Sequence, residues 1–322
     1  MINKRNEAWL DRDRRKEMAM SHTQYVHAKY YDDTLECVKN TSVQEAFKIN
    51  DTDWSDSFTL NSTIIPLYPT KTKFVINAKS TVDAIIDGYK QKRLEEKSNV
   101  SREGFNRLAA LNFASFNNPG GKFMEGSMAQ EESLCHESNL YNVLLQFNNT
   151  FYKNNKTCKN NSLYHNNSLY TKDVIFIKDG KIIAKSDIIT CAAPNTHAAM
   201  KYHNIPYKQC LDAMINRIDH VLKVAHDNRV SHLILGAYGC GVFGNNPTDV
   251  AAAFMTLLTI KYKNVFDIVE FSIPYSINND NNEKFDEVIR KFEAYEHRDT
   301  KALDFYPSVS RLIGEDRPWL KV

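Results

Sequence analysis

Twice in this chain a strand, a glycine-rich loop and a helix follow one another, an order that directs the fold towards an α/β architecture with a ligand crevice at the strand ends. The first copy opens with the apolar run LAALNFA at 108–114, which reads as a buried strand. It continues as NPGGKFMEGSMAQEE at 118–132. Gly120 and Gly121 follow Pro119, so the chain turns there and admits ligand approaches that a side chain would forbid. Ser127, three residues before Gln130, forms a capping-box signature for a helix that starts near Met128 and runs through MAQEESLCHESNLYNVLLQF. Glu131 and Glu132 then occupy the first turn, beside free backbone N–H groups and the positive end of the helix dipole. First-turn acids and glycine pairs are each common in ordinary structure. The combination carries the weight.

The second copy begins with the apolar strand 231–235 and continues as GAYGCGVFGNNPTDVAAAF. Gly236, Gly239, Gly241 and Gly244 punctuate a tight loop, and Pro247 opens a helix near its first position. Such a loop presents backbone N–H groups in a concavity, which can hold a diphosphate without many cations. No Gly-Lys-Ser/Thr follows, so this is not a P-loop, and the spaced dinucleotide fingerprint is absent as well.

Together the two loops resemble those of the microbial-type poly(ADP-ribose) glycohydrolases, a branch of the macrodomain fold. The resemblance rests on Asn112-Phe113-Ala114 and Asn118-Pro119-Gly120-Gly121 in the first unit, and on Ala129-Gln130-Glu131-Glu132 with Ser138-Asn139-Leu140-Tyr141 after it. In the second unit it rests on Gly236-Ala237-Tyr238-Gly239-Cys240-Gly241-Val242-Phe243-Gly244-Asn245. Arg12, Arg14 and Arg15 on a polar helix, followed by Thr34-Leu35-Glu36, are similar to that family's leader. One departure stands out, because the family's loop usually carries a third glycine where this chain has Lys122. A lysine held there with φ above zero costs on the order of 1 kcal/mol. Its side chain either folds away to solvent or contacts a ligand phosphate.

The remaining pattern alternates helices with strands. Residues 6–29 read as a polar helix, 73–77 as a short strand and 80–93 as an amphipathic helix. Segments 173–177 and 181–183 form a hairpin around Asp179-Gly180 and lead into a strand at 186–193. A helix over 206–228, the strand at 231, the helix after Pro247, a strand over 265–273 and a helix over 282–296 complete the order. This predicts an α/β fold, and the resemblance implies the macrodomain version: a three-layer α/β/α sandwich with a mixed central sheet and an N-terminal helical extension. The expected organisation is an N-terminal accessory region at 1–72, a core at 73–297 and a tail at 298–322. Within the core, 148–170 is rich in Asn and repeats Asn-Asn-Ser-Leu-Tyr at 160 and 166, and it is expected to be a mobile surface insertion.

With 322 residues, 42% of them hydrophobic, the chain can bury a substantial core. A formal net charge of +2 implies no strong attraction to nucleic acid. Neither an apolar run of membrane-spanning length nor a secretory leader is read, so a cytoplasmic or nuclear monomer is expected. Six cysteines without Cys-x-x-Cys pairs read as free thiols, and no metal or cofactor is expected. Cys240 lacks a neighbouring histidine or an elbow pattern and reads as a small loop residue rather than a nucleophile.

The resemblance implies exo-hydrolysis of the ribose-to-ribose bond of poly(ADP-ribose), on the polymer or on ADP-ribosylated protein, with ADP-ribose as product. Such a reaction passes through an oxocarbenium-like state and needs a proton for the departing oxygen and a positioned water. By resemblance Glu132 is the catalytic carboxylate and Glu131 orients the ribose or tunes its neighbour. Adjacent helix residues point about 100° apart, so the two are not expected to face each other. The helix dipole lowers a carboxylate's pKa, whereas the like charge of Glu131 raises that of Glu132. The resemblance assigns Gly120, Gly121 and the loop of Gly239, Cys240, Gly241, Val242, Phe243, Gly244 and Asn245 to the diphosphate and terminal ribose, with Phe243 packed on that ribose. Asn112 and Asn118 are placed to bond ribose hydroxyls, and Gln130 to steady the loop. Two other readings use the same pocket: hydrolysis of another ADP-ribose linkage, or binding of ADP-ribose without turnover.

Overall fold

The computed structural model describes residues 11–45, 64, 70–97 and 106–295. Seven strands form one mixed sheet: β1 (Thr41–Glu45), β2 (Lys73–Asn77), β3 (Arg107–Phe113), β4 (Asn167–Lys178), β5 (Lys181–Cys191), β6 (Val230–Leu235) and β7 (Ile268–Ser272), in the order β1-β4-β5-β3-β6-β7-β2. From β5 to β2 all neighbours are parallel, while β1 and β4 add an antiparallel edge.

Strand β3 explains why both faces must be covered. Its side chains alternate, so Ala109 and Leu111 enter one core and Leu108 and Ala110 the other. Helices over Tyr207–Asp227, Pro247–Thr259 and Asn281–Tyr295 close the first face. Thr81–Lys97, Gln130–His136 and Leu140–Leu145 close the second, joined by Ala19 of the helix Arg12–Lys29. The result is the expected α/β/α sandwich. Between β4 and β5, Asp179 and Gly180 have φ of 49° and 70°, the two-residue hairpin geometry that matches strand twist.

Several boundaries differ from the sequence reading. Positions 6–10, 296 and the tail 298–322 lie outside the described residues. A helix at Tyr31–Lys39, the edge strand β1 and a helix at Thr196–His203 have no counterpart in the sequence pattern. β1 is polar, TSVQE, and is a strand because β4 pairs with it, not because of its own pattern.

The capping box at Ser127 and the single helix from Met128 are both corrected. The helix starts at Gln130 with Ala129 as an extended N-cap and no side-chain cap, because the Gln130 side chain turns inward. Its Oε1 accepts from the Phe113 N–H at 2.8 Å, and its Nε2 donates to the Leu111 carbonyl at 2.9 Å and the Thr81 hydroxyl at 3.1 Å. The two β3 groups, from Leu111 and Phe113, lie just past Ala110, the last β3 residue paired with β6. The helix then ends at His136, because Glu137 to Asn139 dock on β4: the Ile177 N–H donates to the Glu137 carbonyl at 2.8 Å and the Asn139 N–H to the Ile175 carbonyl at 3.2 Å.

The Asn-rich segment is likewise not a loose insertion. Phe151, Tyr152, Leu163 and Tyr164 are buried, and from Asn167 onward the chain is β4 itself.

Candidate active site

The loops that leave β3 and β6 lie at the carboxyl ends of neighbouring parallel strands, where α/β sheets place a ligand crevice walled by such loops. Asn112 shares the face of Leu108 and Ala110, so its side chain meets the carboxylate-bearing helix Gln130–His136. Its Nδ2 donates to Glu131 Oε1 at 3.2 Å, and the Ser115 N–H donates to Glu131 Oε2 at 2.7 Å. Both Glu131 oxygens are thereby tied to the strand end and its loop. Burial pushes this carboxyl up to about 8, the Ser115 N–H, the Asn112 amide and the Gly120 N–H opposing the shift and the charge of Glu132 adding to it.

Glu132 is held differently. The Lys122 N–H donates to its Oε1 at 2.9 Å, and Oε2 accepts no hydrogen bond among the described residues. Although the two carboxylates leave the helix in different directions, they converge. A Cβ built on Gly121 would lie 2.7 Å from Glu132 Oε1 and 2.9 Å from Glu131 Oε2. First-turn side chains can bend over the open helix end towards the loop's backbone N–H groups, and here both do.

Gly120 and Gly121 have φ of 65° and 60°, so the left-handed turn falls on the two residues that tolerate it. Lys122 does not share it. With φ −110° and ψ 30° it starts the short 3₁₀ turn Phe123–Glu125, and its side chain is exposed. The strain considered for this position is therefore absent. That turn is gripped by the N-terminal helix: Arg12 Nε donates to the Glu125 carbonyl at 2.8 Å and Arg15 Nε to the Gly126 carbonyl at 2.7 Å. A Cβ on Gly126 would meet the Arg12 carbonyl at 2.5 Å. Asn118 is exposed, and its carbonyl accepts the Gly121 N–H at 3.1 Å to close the loop.

The opposite wall is built around Asn245, whose side chain is turned inward. Its Nδ2 donates to the carbonyls of Pro194 and Gly239, both at 2.9 Å, and its Oδ1 accepts from the Thr196 hydroxyl at 2.7 Å. Gly239 and Gly244 have φ of 71° and 70°. Gly241 meets nothing within 4 Å of a built Cβ, and Val242 is 87% exposed, so this stretch faces open space. Phe243 packs between the main core and a small cluster of Phe116, Tyr164 and Ala192. Tyr238 is core, its hydroxyl donating to the Cys191 carbonyl at 3.0 Å. Burial pushes the Cys240 thiol up, the opposite of what a thiolate nucleophile requires.

Of the residues expected at the site, Asn112 contacts Glu131, Lys122 contacts Glu132 and Gly121 lies against both carboxylates, while Gln130 bonds the strand end beside them. Sequence reasoning missed Ser115, Phe116 and Thr81. Ser115 acts through its backbone, which no side-chain pattern reports. No helix among the described residues is long and apolar enough to cross a membrane, and no group of three or more His, Cys, Asp or Glu among them could hold a metal.

The sequence profile of the family described as microbial-type PARG, catalytic domain, matches residues 13–179. Among solved structures, the poly(ADP-ribose) glycohydrolase of Thermomonospora curvata is similar at 24% identity, TM-score 0.70, over 86% of this chain and 99% of that one. The poly(ADP-ribose) glycohydrolase of Deinococcus radiodurans in complex with ADP-ribose is similar at 29% identity, TM-score 0.63, over 79% and 96%. In a second crystal form of that complex the figures are 33%, 0.58, 67% and 83%. A search of curated protein sequences returned no match.

Proposed function

The chain belongs to the microbial-type PARG catalytic-domain family, and on that premise we propose that it hydrolyses the ribose-to-ribose glycosidic bond of poly(ADP-ribose) from the terminal unit, releasing ADP-ribose. The observation that carries this reading is the unequal holding of two converging carboxylates, with Glu131 tied at both oxygens and Glu132 at one. A group that must give up a proton and then take one from water needs an oxygen free to do so. Glu132 Oε2 is that oxygen.

Glu132 donates its proton to the ribose oxygen that departs, and the sugar carbon passes through an oxocarbenium-like state. The carboxylate then accepts a proton from the attacking water, whose oxygen bonds to that carbon. Burial raises the carboxyl of Glu131, which orients the ribose beside Glu132. Asn112 and Ser115 position Glu131, and the Lys122 N–H positions Glu132. Gly121 gives the terminal ribose access to both carboxyls. Gly120, Asn118 and Gln130 shape that loop, and Asn245 shapes the other from within. The exposed stretch of Gly241 and Val242 offers its backbone to the diphosphate, and Phe243 packs on the ribose. The ADP-ribose bound to the Deinococcus relative supports the ligand class.

Product analysis with polymer, mono-ADP-ribosylated protein and ADP-ribosylated DNA as parallel substrates tests the reading. Free ADP-ribose released from polymer is the expected result. Release only from a mono-ADP-ribosylated substrate would replace it with a different linkage, and binding of ADP-ribose without release from any would make the protein a reader.

A further inference from the structure

The Asn-rich segment takes no part in the chemistry above, yet it carries a strongly constrained backbone. Asn160, Asn161, Ser162 and Tyr164 have φ of 44°, 49°, 69° and 61°. Asparagine tolerates the left-handed region, but a tyrosine there is an outlier that its surroundings have to hold, and such residues cluster at functional sites.

Its surroundings do hold it. Arg217, 1% exposed, donates to Asn166 Oδ1 at 2.7 Å, to the Leu163 carbonyl at 3.3 Å and to the Ala192 carbonyl. These three partners are neutral oxygens, so the buried guanidinium ties the turn to the end of β5. The Asn195 N–H donates to the Ser162 carbonyl at 2.9 Å. Asn155 Nδ2 donates to the Phe116 carbonyl at 2.8 Å and its Oδ1 accepts from Asn167 at 2.6 Å. These bonds place the Tyr164 ring parallel to Phe116, with centroids 4.2 Å apart and planes 11° apart, and edge-on to Phe243 at 6.2 Å. Phe116 belongs to the loop after β3 and Phe243 to the loop after β6. One ring therefore bridges the two walls of the crevice.

We propose that Tyr164 is a positioning residue for the ligand site: its ring, forced into place by the left-handed turn and the Arg217 clamp, fixes Phe243 against Phe116 in the orientation that receives the ligand's ribose. This rests on the ADP-ribose reading of the site. Ring pairs of this geometry contribute beyond simple burial, so loss of the ring loosens Phe243 and weakens binding rather than chemistry.

The test compares Tyr164→Gly, Tyr164→Asn and Tyr164→Phe in the full chain. Glycine and asparagine accept the left-handed turn and remove the ring, while phenylalanine keeps the ring. Calorimetry with ADP-ribose and steady-state turnover of polymer are measured beside thermal unfolding. The expected result is about a tenfold rise in the ADP-ribose Kd and in KM for the first two, with kcat within about threefold, and near wild-type values for Tyr164→Phe. Affinity and KM unchanged in folded Tyr164→Gly would overturn the proposal. Unfolding of both ring-less variants would also overturn it, making Tyr164 purely structural. Wild-type protein that neither binds ADP-ribose nor cleaves polymer would instead overturn the reading on which the proposal rests, and the proposal with it.

Discussion

The backbone N–H of Lys122 donates to Glu132 Oε1 at 2.9 Å, while the lysine side chain is exposed to solvent. At the position where the resemblance implies a third glycine, the part of the residue that touches the site is the part every non-proline residue has. This explains how the loop accommodates a lysine: its φ is −110°, and the left-handed geometry stops at Gly121.

Lys122→Gly therefore relieves no strain. It should lower stability by about 0.5–1 kcal/mol through added freedom of the unfolded chain, with turnover within about threefold of wild type. Thermal unfolding and polymer turnover check this together. A gain in stability, or a salt-sensitive loss of ADP-ribose affinity, would show that the side chain matters after all.

Gly121→Ala should be far more damaging. A methyl group there would lie 2.7 Å and 2.9 Å from the two carboxylate oxygens, on a residue whose φ is 60°. The conformational penalty alone is about 1–2 kcal/mol, and the displaced carboxylates should reduce turnover by about 10²-fold. Circular dichroism separates this from unfolding, and turnover within tenfold of wild type in folded protein would contradict the geometry.

For Glu132→Gln the expectation is a loss of about 10² to 10⁴-fold in turnover with ADP-ribose affinity retained, since the amide keeps shape but not the exchangeable proton. Calorimetry and single-turnover kinetics measure the two separately. Near-normal turnover would move catalysis to another residue.

Glu131 predicts a pH dependence of stability. Its folded pKa of about 8 lies above the ordinary 4.5, so the folded protein binds a proton more tightly than the unfolded chain. The contribution is fully present below about pH 4.5 and is lost as pH rises through about 8. Glu131→Gln should remove that decline. Its amide can donate to Asn112 Oδ1, buried and without a partner, once the Asn112 amide turns over. Urea unfolding at pH 5, 7 and 9 checks the slopes, and parallel slopes for the variant and wild type would assign the loss to other groups.

Much of the site was legible because it is local. β3 and β6 are largely apolar runs followed by glycine-bearing loops, and Glu131 and Glu132 stand one loop beyond Gly121. What could not be read depends on distant partners. The helix breaks at Glu137 because β4 takes its carbonyl, and Glu131 is tied down by a backbone N–H from Ser115. No local periodicity carries either fact.

The repeated Asn-Asn-Ser-Leu-Tyr marks the division most directly. The sequence by itself determined alternating strands and helices, two glycine loops at strand ends and a carboxylate pair at a helix start, since spacing, burial pattern and turn chemistry act over a few residues. It also determined that both pentapeptides are polar with one leucine and one tyrosine. Only the tertiary structure decided that the first copy is a left-handed turn with Tyr164 on Phe116, while the second runs into β4 with Tyr170 bonded to Asp187. The physical reason is that local preference is nearly the same for both copies. The difference comes from Arg217, which bonds Leu163 in the first copy and Asn166 at the start of the second, and from the β5 ladder that takes the second from Ser168 onward.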